Sequence, residues 1–293
     1  MEHFAGKTAF ITGGANGIGL GMAQVFAEAG MNVVIADIRK DHLERAAGDL
    51  AGAGGPVHTI VLDVCDRAAM AAAADECERV FGKVHLVCNN AGVNLFKAMD
   101  LCSYNDWDWV MGVNLGGVIN GVVEFIPRLK RHGEGGHIVN TASMASIISG
   151  PGAGVYTTAK FGVRGLSECL RYALAKHGIG VSVLCPGLVK SFIYDSNSIR
   201  PASLPGETTE EERAFLDMLP RMHDLGMEPR EVAEAVLQGV RENRLYIFPH
   251  PEFRDEIREI CEEMVAAFPD KEADPGRLAV EEMRRRRKAE EKT

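Results

Sequence analysis

The sequence predicts an α/β fold with a doubly wound parallel sheet, because short apolar segments alternate with longer amphipathic ones along the 293 residues. The short segments are apolar without alternation, which is typical of strands covered on both faces. Strands separated by helices indicate right-handed βαβ units. The chain is long enough for a buried core, and its 46% hydrophobic and 25% charged residues are ordinary for a globular protein.

The predicted elements follow one another in the order that this fold requires. Strands are expected at residues 7–11, 32–37, 57–62, 84–88, 137–141 and 179–184, with 245–248 as a candidate last strand. Helices are expected after the first two strands, up to about residues 29 and 50, and at 154–176 and 231–240. Residues 251–290 have the pattern of one or two charged helices. No break is sharp enough for a second domain, so we expect a single domain with a C-terminal helical extension.

The composition argues against several classes of protein. A net charge of −9 opposes general binding to nucleic acids and to anionic membranes. No apolar run reaches the roughly 18–20 residues that span a bilayer, and residues 1–4 lack the features of a signal peptide. The seven cysteines include no Cys-x-x-Cys pair, which favours reduced thiols over a zinc site or a disulfide framework. We therefore expect a cytoplasmic protein with no metal, membrane or nucleic-acid partner.

A glycine-rich loop joins the first predicted strand to the first helix. It reads Thr-Gly-Gly-Ala-Asn-Gly-Ile-Gly over residues 12–19. Glycines allow a tight turn and a close approach of the backbone to a pyrophosphate, and the free N–H groups of the following helix attract the anion. The position between a strand and a helix favours a dinucleotide site over a plain turn that needs glycine. The residues expected to bind the cofactor here are Gly13, Asn16, Gly17, Ile18 and Gly19.

The residues after the second and third strands indicate which dinucleotide is bound. Asp37 ends the second strand, where its carboxylate can accept hydrogen bonds from the adenosine ribose and would repel a 2′-phosphate. Arg39 is the one cation nearby, and it would either serve NADP or be solvated. On balance these residues favour NAD. Asp63, with Val64 beside it, lies where a side chain would reach the adenine, although Asp63 could equally be the N-cap of the next helix.

Tyr156 and Lys160 are the first candidates for chemistry. Because they are four residues apart in a predicted helix, both side chains lie on one face. A tyrosine with a pKa near ~10 is a poor base at neutral pH, but a close ammonium group favours the phenolate. The pair can then take a proton from an alcohol or give one to a carbonyl. Alone the motif is weak, since an exposed helical pair would look the same.

Polar residues near the ends of other strands strengthen this interpretation. Ser143 follows the strand at 137–141, and Asn-Asn-Ala-Gly at 89–92 follows the fourth strand. In a doubly wound sheet, the carboxyl ends of the strands open into the crevice that binds ligands. Asn114 lies in an apparent helix whose apolar face would bury it, so its amide must find a partner.

With these residues in place, the sequence resembles the short-chain dehydrogenase/reductase family, which has a Rossmann-type fold. The resemblance covers about residues 5–191, and the order and spacing of the motifs all match. The motifs are the glycine loop, residues 89–92, Asn114, Ser143, Tyr156, Lys160, Pro186 and Gly187.

The resemblance implies a role for each matched residue. Tyr156 would be the general acid/base, and Lys160 would bind the nicotinamide ribose and lower the pKa of Tyr156. Ser143 would hold the substrate oxygen, and Asn114 would anchor a water in a proton relay. Besides the residues named above, NAD would contact Asn90, Ala91, Gly92, Tyr156, Lys160, Pro186, Gly187, Val189 and Ser191, the last of which replaces a common threonine. The family also implies a homodimer or homotetramer.

The resemblance further divides the chain into a catalytic domain, residues 1–250, and a helical extension, residues 251–293. Within the domain, residues 188–227 would form a variable substrate loop with apolar and aromatic side chains. A wide apolar pocket suits a bulky aromatic or aliphatic alcohol, although these side chains could also be ordinary packing. Arg200 is the one candidate handle for coenzyme A or phosphate. The expected substrate contacts are Ser143, Tyr156, Phe96, Phe192, Ile193 and Tyr194.

Three further stretches, at residues 112–122, 189–191 and 245–252, look like those of bacterial Cα-dehydrogenases. Those enzymes use NAD to oxidise the benzylic alcohol of lignin β-aryl ether dimers to a ketone. The sequence therefore indicates an NAD-dependent oxidation of a secondary alcohol on a hydrophobic aromatic molecule.

Other functions remain open at this point. A dehydrogenase of the same family could act on a steroid or a hydroxyacyl compound. A non-catalytic NAD-binding regulator is disfavoured by the intact set of Asn114, Ser143, Tyr156 and Lys160. A nucleic-acid site at the basic run 284–288 is disfavoured by the flanking glutamates, which favour a solvated helix end. For His250, which lies between two prolines, a constrained loop is favoured over a substrate or interface role.

Overall fold

The centre of the molecule is a parallel sheet of seven strands. The structure is a computed structural model that describes residues 1–290. The strands are β1 (Thr8–Thr12), β2 (Asn32–Asp37), β3 (Val57–Val61), β4 (Leu86–Asn89), β5 (Gly136–Thr141), β6 (Ile179–Leu184) and β7 (Tyr246–Ile247). They lie in the order β3-β2-β1-β4-β5-β6-β7, and every neighbouring pair is parallel. The predicted doubly wound sheet is confirmed, with its order reversing between β1 and β4.

Helices cover both faces of this sheet. They are α1 (Gly17–Glu28), α2 (Lys40–Asp49), α3 (Arg67–Phe81), α4 (Tyr104–Met111), α5 (Gly117–His132), α6 (Gly154–Ala175), α7 (Glu210–Leu216), α8 (Leu219–His223), α9 (Pro229–Arg241), α10 (Arg254–Ala266) and α11 (Pro275–Glu290). Side chains of α1, α2 and α9 form one core with the sheet, and those of α3, α5 and α6 form the other. These two cores explain the apolar runs of the inner strands, since β1, β4 and most of β2, β5 and β6 are buried, whereas β3 and β7 at the edges are partly exposed.

A π-helical turn, Gly112–Gly116, joins α4 to α5 and makes them one helical stretch of 29 residues, Tyr104–His132. Eighteen consecutive residues of this stretch have a mean hydropathy of 1.4, so by length and composition alone it could cross a membrane. Val110, Phe125 and Leu129 on it are buried against other parts of the protein. The apolar character of the stretch is therefore accounted for by its place beside the sheet.

The end of the chain leaves the sheet after the short strand β7. Helices α10 and α11 follow, as predicted for residues 251–290, and no residue of α10 is buried. On α11, Arg284 and Arg285 both pair with Glu281, at 2.7 and 3.1 Å, so part of the basic run is neutralised within its own helix. The end of the predicted extension, residues 291–293, lies outside the described part of the chain, and the boundary at residue 250 stays a prediction.

The last residue of β1, Thr12, connects three strands at the point where the sheet order reverses. Its hydroxyl accepts hydrogen bonds from the backbone N–H groups of Asn90, at 2.9 Å, and Ala91, at 3.1 Å. The Asn90 amide donates to the carbonyls of Thr12 and Gly13 and accepts from the Thr141 hydroxyl at the end of β5, at 3.1 Å. These bonds hold the carboxyl ends of β1, β4 and β5 in one arrangement.

We expect Thr12→Val to destabilise the protein by about 2 kcal/mol, because it leaves two backbone N–H groups without an acceptor. The measurement is the free energy of unfolding from urea denaturation. Thr12→Ser keeps the hydroxyl and should retain most of the stability. Equal stability of the valine variant and the wild type would show that the hydroxyl does not hold these strand ends together.

Candidate active site

A cavity of ≈ 760 Å³ opens at the carboxyl edge of the sheet, above the point where the strand order reverses. This is where doubly wound sheets bind ligands. Most of the predicted site residues line it, whereas Gly19, Asn114 and Tyr194 do not. The lining includes Gly13, Asn16, Gly17, Ile18, Asp37, Asp63, Val64, Asn90, Ala91, Gly92, Phe96, Ser143, Tyr156, Lys160, Pro186, Gly187, Val189, Ser191, Phe192 and Ile193.

The glycine loop brings its backbone to the cavity through conformations that favour glycine. Gly13 and Gly17 have φ angles of +62° and +48°. A Cβ atom on Gly13 would lie 2.9 Å from Cα of Ala91, so a side chain has no room there. Asn16 caps α1 by accepting a hydrogen bond from the Gly17 N–H at 2.7 Å. The N-terminus of α1 therefore begins at the cavity wall, where its dipole favours an anionic group.

Gly19 has a packing role instead of a lining role. A Cβ atom at this position would lie only 2.0 Å from the carbonyl oxygen of Gly13. The third glycine of the motif thus allows α1 to pack against the loop that precedes it.

Asp37 is fixed at the cavity wall by backbone hydrogen bonds. Its two carboxylate oxygens accept from the N–H groups of Ala15, at 3.3 Å, and Arg39, at 3.0 Å. Burial raises the pKa of this carboxyl, and the backbone hydrogen bonds oppose that rise. The Arg39 guanidinium is paired with Asp41 at 2.9 and 2.7 Å. This ion pair is exposed to solvent, and Arg39 also lines the cavity.

Asp63 is not the N-cap of the next helix. Its carboxylate accepts from the N–H of Cys65 at 2.9 Å, within a turn that borders the cavity. Asp66 caps α3 instead, accepting from Ala68 and Ala69 at 2.8 and 3.0 Å. The alternative interpretation of Asp63 is therefore wrong, and its position at the cavity agrees with the predicted place of an adenine contact.

Tyr156 and Lys160 occupy one face of α6, and both side chains are almost fully buried. The Lys160 ammonium lies 5.4 Å from the centre of the Tyr156 ring and donates to the carbonyl of Thr141 at 2.9 Å. Burial lowers the pKa of Lys160 to about 8. Burial also raises the pKa of Tyr156, with a hydrogen bond to Ser143 opposing it. The lowering of the Tyr156 pKa that the family resemblance implies stays a prediction, and desolvation of the phenolate opposes it.

Ser143 stands between the phenol and the segment after β6. It begins a short 3₁₀ turn, Met144–Ser146, and its hydroxyl oxygen accepts from the Ala145 N–H at 3.1 Å. The hydroxyl also lies 3.5 Å from the carbonyl of Pro186. The turn thereby holds the serine oxygen beside Tyr156, at the cavity surface.

Asn114 is completely buried in the π-helical turn, and its amide does find a partner, as the sequence predicts. The side-chain oxygen accepts from the N–H of Val93, and the side-chain nitrogen donates to its carbonyl, both at 2.8 Å. A Cβ atom on Gly92 would lie 3.3 Å from this oxygen and 3.5 Å from the Lys160 nitrogen. Asn114 therefore fixes the backbone at Gly92 and Val93, which lies between Asn114 and Lys160. π-Helical turns occur frequently at functional sites.

Phe96, Phe192 and Ile193 line the cavity, whereas Tyr194 does not and packs against the His223 ring at 5.2 Å. The segment Ile193–Ile199 is 3₁₀-helical with a kink at Asp195, and Ser196 and Ile199 on it also line the cavity.

The sequence did not reveal several further lining residues, because they come from distant segments that meet only in the fold. They are Val93, Trp109, Ile199, Leu204, His223 and Phe253. Arg200 is not free to hold a phosphate, since it pairs with buried Asp106 at 2.7 Å and its guanidinium carbon lies 4.8 Å from the Trp109 ring centre. Within residues 1–290, no group of three His, Cys, Asp or Glu side chains is arranged to hold a metal ion.

Known proteins share this architecture. Residues 7–200 match the family model described as short chain dehydrogenase. A C alpha-dehydrogenase of Sphingobium sp. strain SYK-6 is 43% identical over 276 residues, which are 94% of this chain and 90% of that protein. The structure of the apo form of LigO from the same strain is 41% identical, with a TM-score of 0.80 and coverage of 98% of both chains.

A second solved structure contains a cofactor. It is a short chain dehydrogenase/reductase from Burkholderia phymatum in complex with NAD, 36% identical, with a TM-score of 0.87 over 94% of this chain and 99% of that one. Together with the extent of the family match, these likenesses show that the chain is an oxidoreductase enzyme and belongs to the short chain dehydrogenase family.

Proposed function

We propose that the protein is an NAD-dependent dehydrogenase that oxidises a secondary, benzylic alcohol on a bulky aromatic molecule to a ketone, as in the Cα-oxidation of lignin β-aryl ether compounds. One observation carries the proposal. The Tyr156, Ser143 and Lys160 side chains reach the same ≈ 760 Å³ cavity that the glycine loop and Asp37 line. The 43% identity to a C alpha-dehydrogenase supports the choice of substrate.

The residues present fit NAD. The loop from Gly13 to Gly17 leaves room for the backbone to approach a pyrophosphate at the N-terminus of α1. Asp37 offers carboxylate oxygens to ribose hydroxyls, and Arg39 is engaged by Asp41 and so is less available to a 2′-phosphate. Lys160 and the segment from Pro186 to Val189 would border the nicotinamide end. When bound, NAD supplies the hydride acceptor for the carbinol carbon.

The protein's own side chains would accept the proton that leaves the substrate hydroxyl. Tyr156 would take the proton of the substrate hydroxyl as general base, and Ser143 would donate a hydrogen bond to the same oxygen as it becomes a carbonyl. Lys160, ammonium below about pH 8, would stabilise the phenolate that Tyr156 must form. Asn114 would act through Val93, keeping the segment beside Lys160 in place.

The substrate side of the cavity is mainly apolar, which suits an aromatic alcohol. Trp109, Phe192, Ile193 and Leu204 supply this surface, and Phe96 stands at its margin with its ring 5.5 Å from Phe215. Ligand pockets of this size are usually apolar, with a few polar groups that set orientation. Ser143 and Tyr156 would be those polar groups.

We also propose a homodimer or homotetramer and a cytoplasmic location. Ile119 and Val123 on α5 and Phe161 on α6 are exposed apolar side chains on the helices that hold the catalytic residues. All seven cysteines are free thiols, which fits a reducing compartment.

The central test is NAD reduction with each enantiomer of a β-aryl ether model alcohol, beside a panel that includes a hydroxysteroid and a hydroxyacyl compound. We expect turnover with at least one enantiomer and less with the other alcohols. Tyr156→Phe should abolish nearly all turnover but leave the NADH dissociation constant close to that of the wild type. Activity confined to the steroid or hydroxyacyl compound would reject the aromatic substrate. NADH binding without turnover of any alcohol would instead indicate a regulator.

Asp37→Asn should weaken the preference for NADH over NADPH by about tenfold or more, because it removes the negative charge facing the ribose 2′ position. Fluorescence titration gives both dissociation constants. Asp66→Asn, which changes a carboxylate that caps α3 outside the cavity, should leave their ratio unchanged. An unchanged ratio in the Asp37 variant would show that this carboxylate does not select the cofactor.

Alcohol oxidation should become faster as pH rises from about 6 to about 8, because the phenolate fraction of Tyr156, whose pKa burial raises, grows with pH while Lys160 keeps its ammonium charge up to about pH 8. Ketone reduction uses the protonated phenol, which persists through this range, and should change little. The measurement is kcat/KM in both directions at constant ionic strength. Oxidation that slows with rising pH would contradict the role of Tyr156 as the base.

A further inference from the structure

The chain that follows the matched residues 7–200 places His250 and Phe253 near the cavity, and the mechanism above uses neither. His250 is buried between Pro249 and Pro251, with 4% of its surface exposed. Phe253, three residues later, lines the cavity. Both lie against residues 186–189, which we call the cofactor wall because the proposed function places the nicotinamide there.

The two ring nitrogens of His250 bond to successive residues of the cofactor wall. The N–H of Gly187 donates to Nδ1 at 3.0 Å, and Nε2 lies 3.0 Å from the carbonyl oxygen of Leu188. Because a backbone N–H can only donate, Nδ1 must accept, and the neutral ring then carries its proton on Nε2 and donates to Leu188. One imidazole therefore fixes two peptide groups, Pro186–Gly187 and Leu188–Val189, which flank the peptide between Gly187 and Leu188.

The two bonds are not equally replaceable. The Leu188 carbonyl also accepts from the N–H of Met227 at 3.0 Å, so it stays bonded if His250 is lost. The N–H of Gly187 has its acceptor in His250. Leaving a buried backbone N–H without any acceptor costs the full desolvation free energy of that group. A carbonyl that keeps one of its two donors is destabilised less. Loss of the Nδ1 acceptor should therefore disturb the cofactor wall more.

The packing leaves no freedom for the wall to move toward His250. A Cβ atom on Gly187 would lie 2.5 Å from the Phe253 ring and 3.1 Å from the His250 ring. On its other side the wall meets the catalytic residues, since the Pro186 carbonyl accepts from the N–H of Met144 at 2.9 Å and lies near the Ser143 hydroxyl. The wall is thus held between His250 and the turn that carries Ser143.

We propose that His250 is a positioning residue, which sets the place of the cofactor wall by bonding Gly187 and Leu188 and thereby supports cofactor binding and the alignment of Ser143. The inference rests on the proposed function, since that function assigns the wall to the nicotinamide. It gives the C-terminal segment a share in the catalytic site, with no contact between His250 and the reacting atoms.

The test compares three replacements of His250 with one matched control. His250→Asn keeps an oxygen near the place of Nδ1, His250→Gln keeps an amide N–H near the place of Nε2, and His250→Ala keeps neither. The control is His132→Ala. The His132 ring likewise bridges two backbone groups, accepting from the Glu134 N–H at 3.1 Å and bonding the Val84 carbonyl at 2.8 Å, outside the cavity.

The readouts are the NADH dissociation constant from fluorescence titration, the unfolding temperature, and kcat and KM for NAD. We expect His250→Ala to raise the NADH dissociation constant by about tenfold, because leaving one buried donor without an acceptor has an effect of about this size. His250→Asn should recover more of the affinity than His250→Gln. His132→Ala should lower the unfolding temperature without weakening NADH binding.

Two results would overturn the inference while leaving the proposed function intact. One is that His250→Ala binds NADH with the affinity of the wild type. If the alanine variant does not fold, the equivalent result is wild-type affinity in both His250→Asn and His250→Gln. The other is an equal loss of affinity in His132→Ala, since this would show general destabilisation. A wild-type protein that binds no NADH would reject the proposed function together with this inference.

Discussion

The hydroxyl of Thr12 is the interaction on which the rest of the site depends. A doubly wound sheet leaves a crevice where β1 and β4 diverge, and nothing in the strand pairing itself fixes the loops on either side. Thr12 fixes them by accepting two N–H groups from the loop after β4, while the Asn90 amide bonds back to the glycine loop and across to Thr141. The carbonyl of Thr141 in turn holds Lys160. The cofactor cradle and the catalytic pair thus share one frame of hydrogen bonds.

The same burial that gives the site its shape determines its acid–base chemistry. Tyr156 and Lys160 are both removed from water, and desolvation disfavours the charged form of each, raising one pKa and lowering the other. A hydrogen bond from Ser143 favours the phenolate of Tyr156, and the Thr141 carbonyl accepts from the ammonium of Lys160. A proton acceptor of this kind is poised to respond to the charge of a bound ligand, in a way that an exposed tyrosine could not.

Much of this arrangement could be predicted from the sequence, and the errors have physical causes. Buried parallel strands are continuous apolar runs, so the sheet was predicted correctly. The glycine loop and the pair Tyr156 and Lys160 have fixed local spacings, and the structure places them at one cavity. Asp63 and Asp66 differ by less than one helical turn, and only the backbone path shows which of them caps α3. The packing of Tyr194 on His223 and the position of Phe253 at the cavity both depend on contacts between segments that are distant in the sequence.

The buried pair of Arg200 and Asp106 has a consequence for the energetics of substrate capture. It ties the substrate loop to the start of α4, and the Arg200 side chain also donates to the Leu204 carbonyl at 2.6 Å. To swing outward, this part of the loop would have to expose both charges to water again and give up those bonds. Its conformational entropy is therefore already lost within the folded protein. Under the proposed function, the binding of a bulky alcohol would not have to order this part of the loop, which is the advantage of preorganisation.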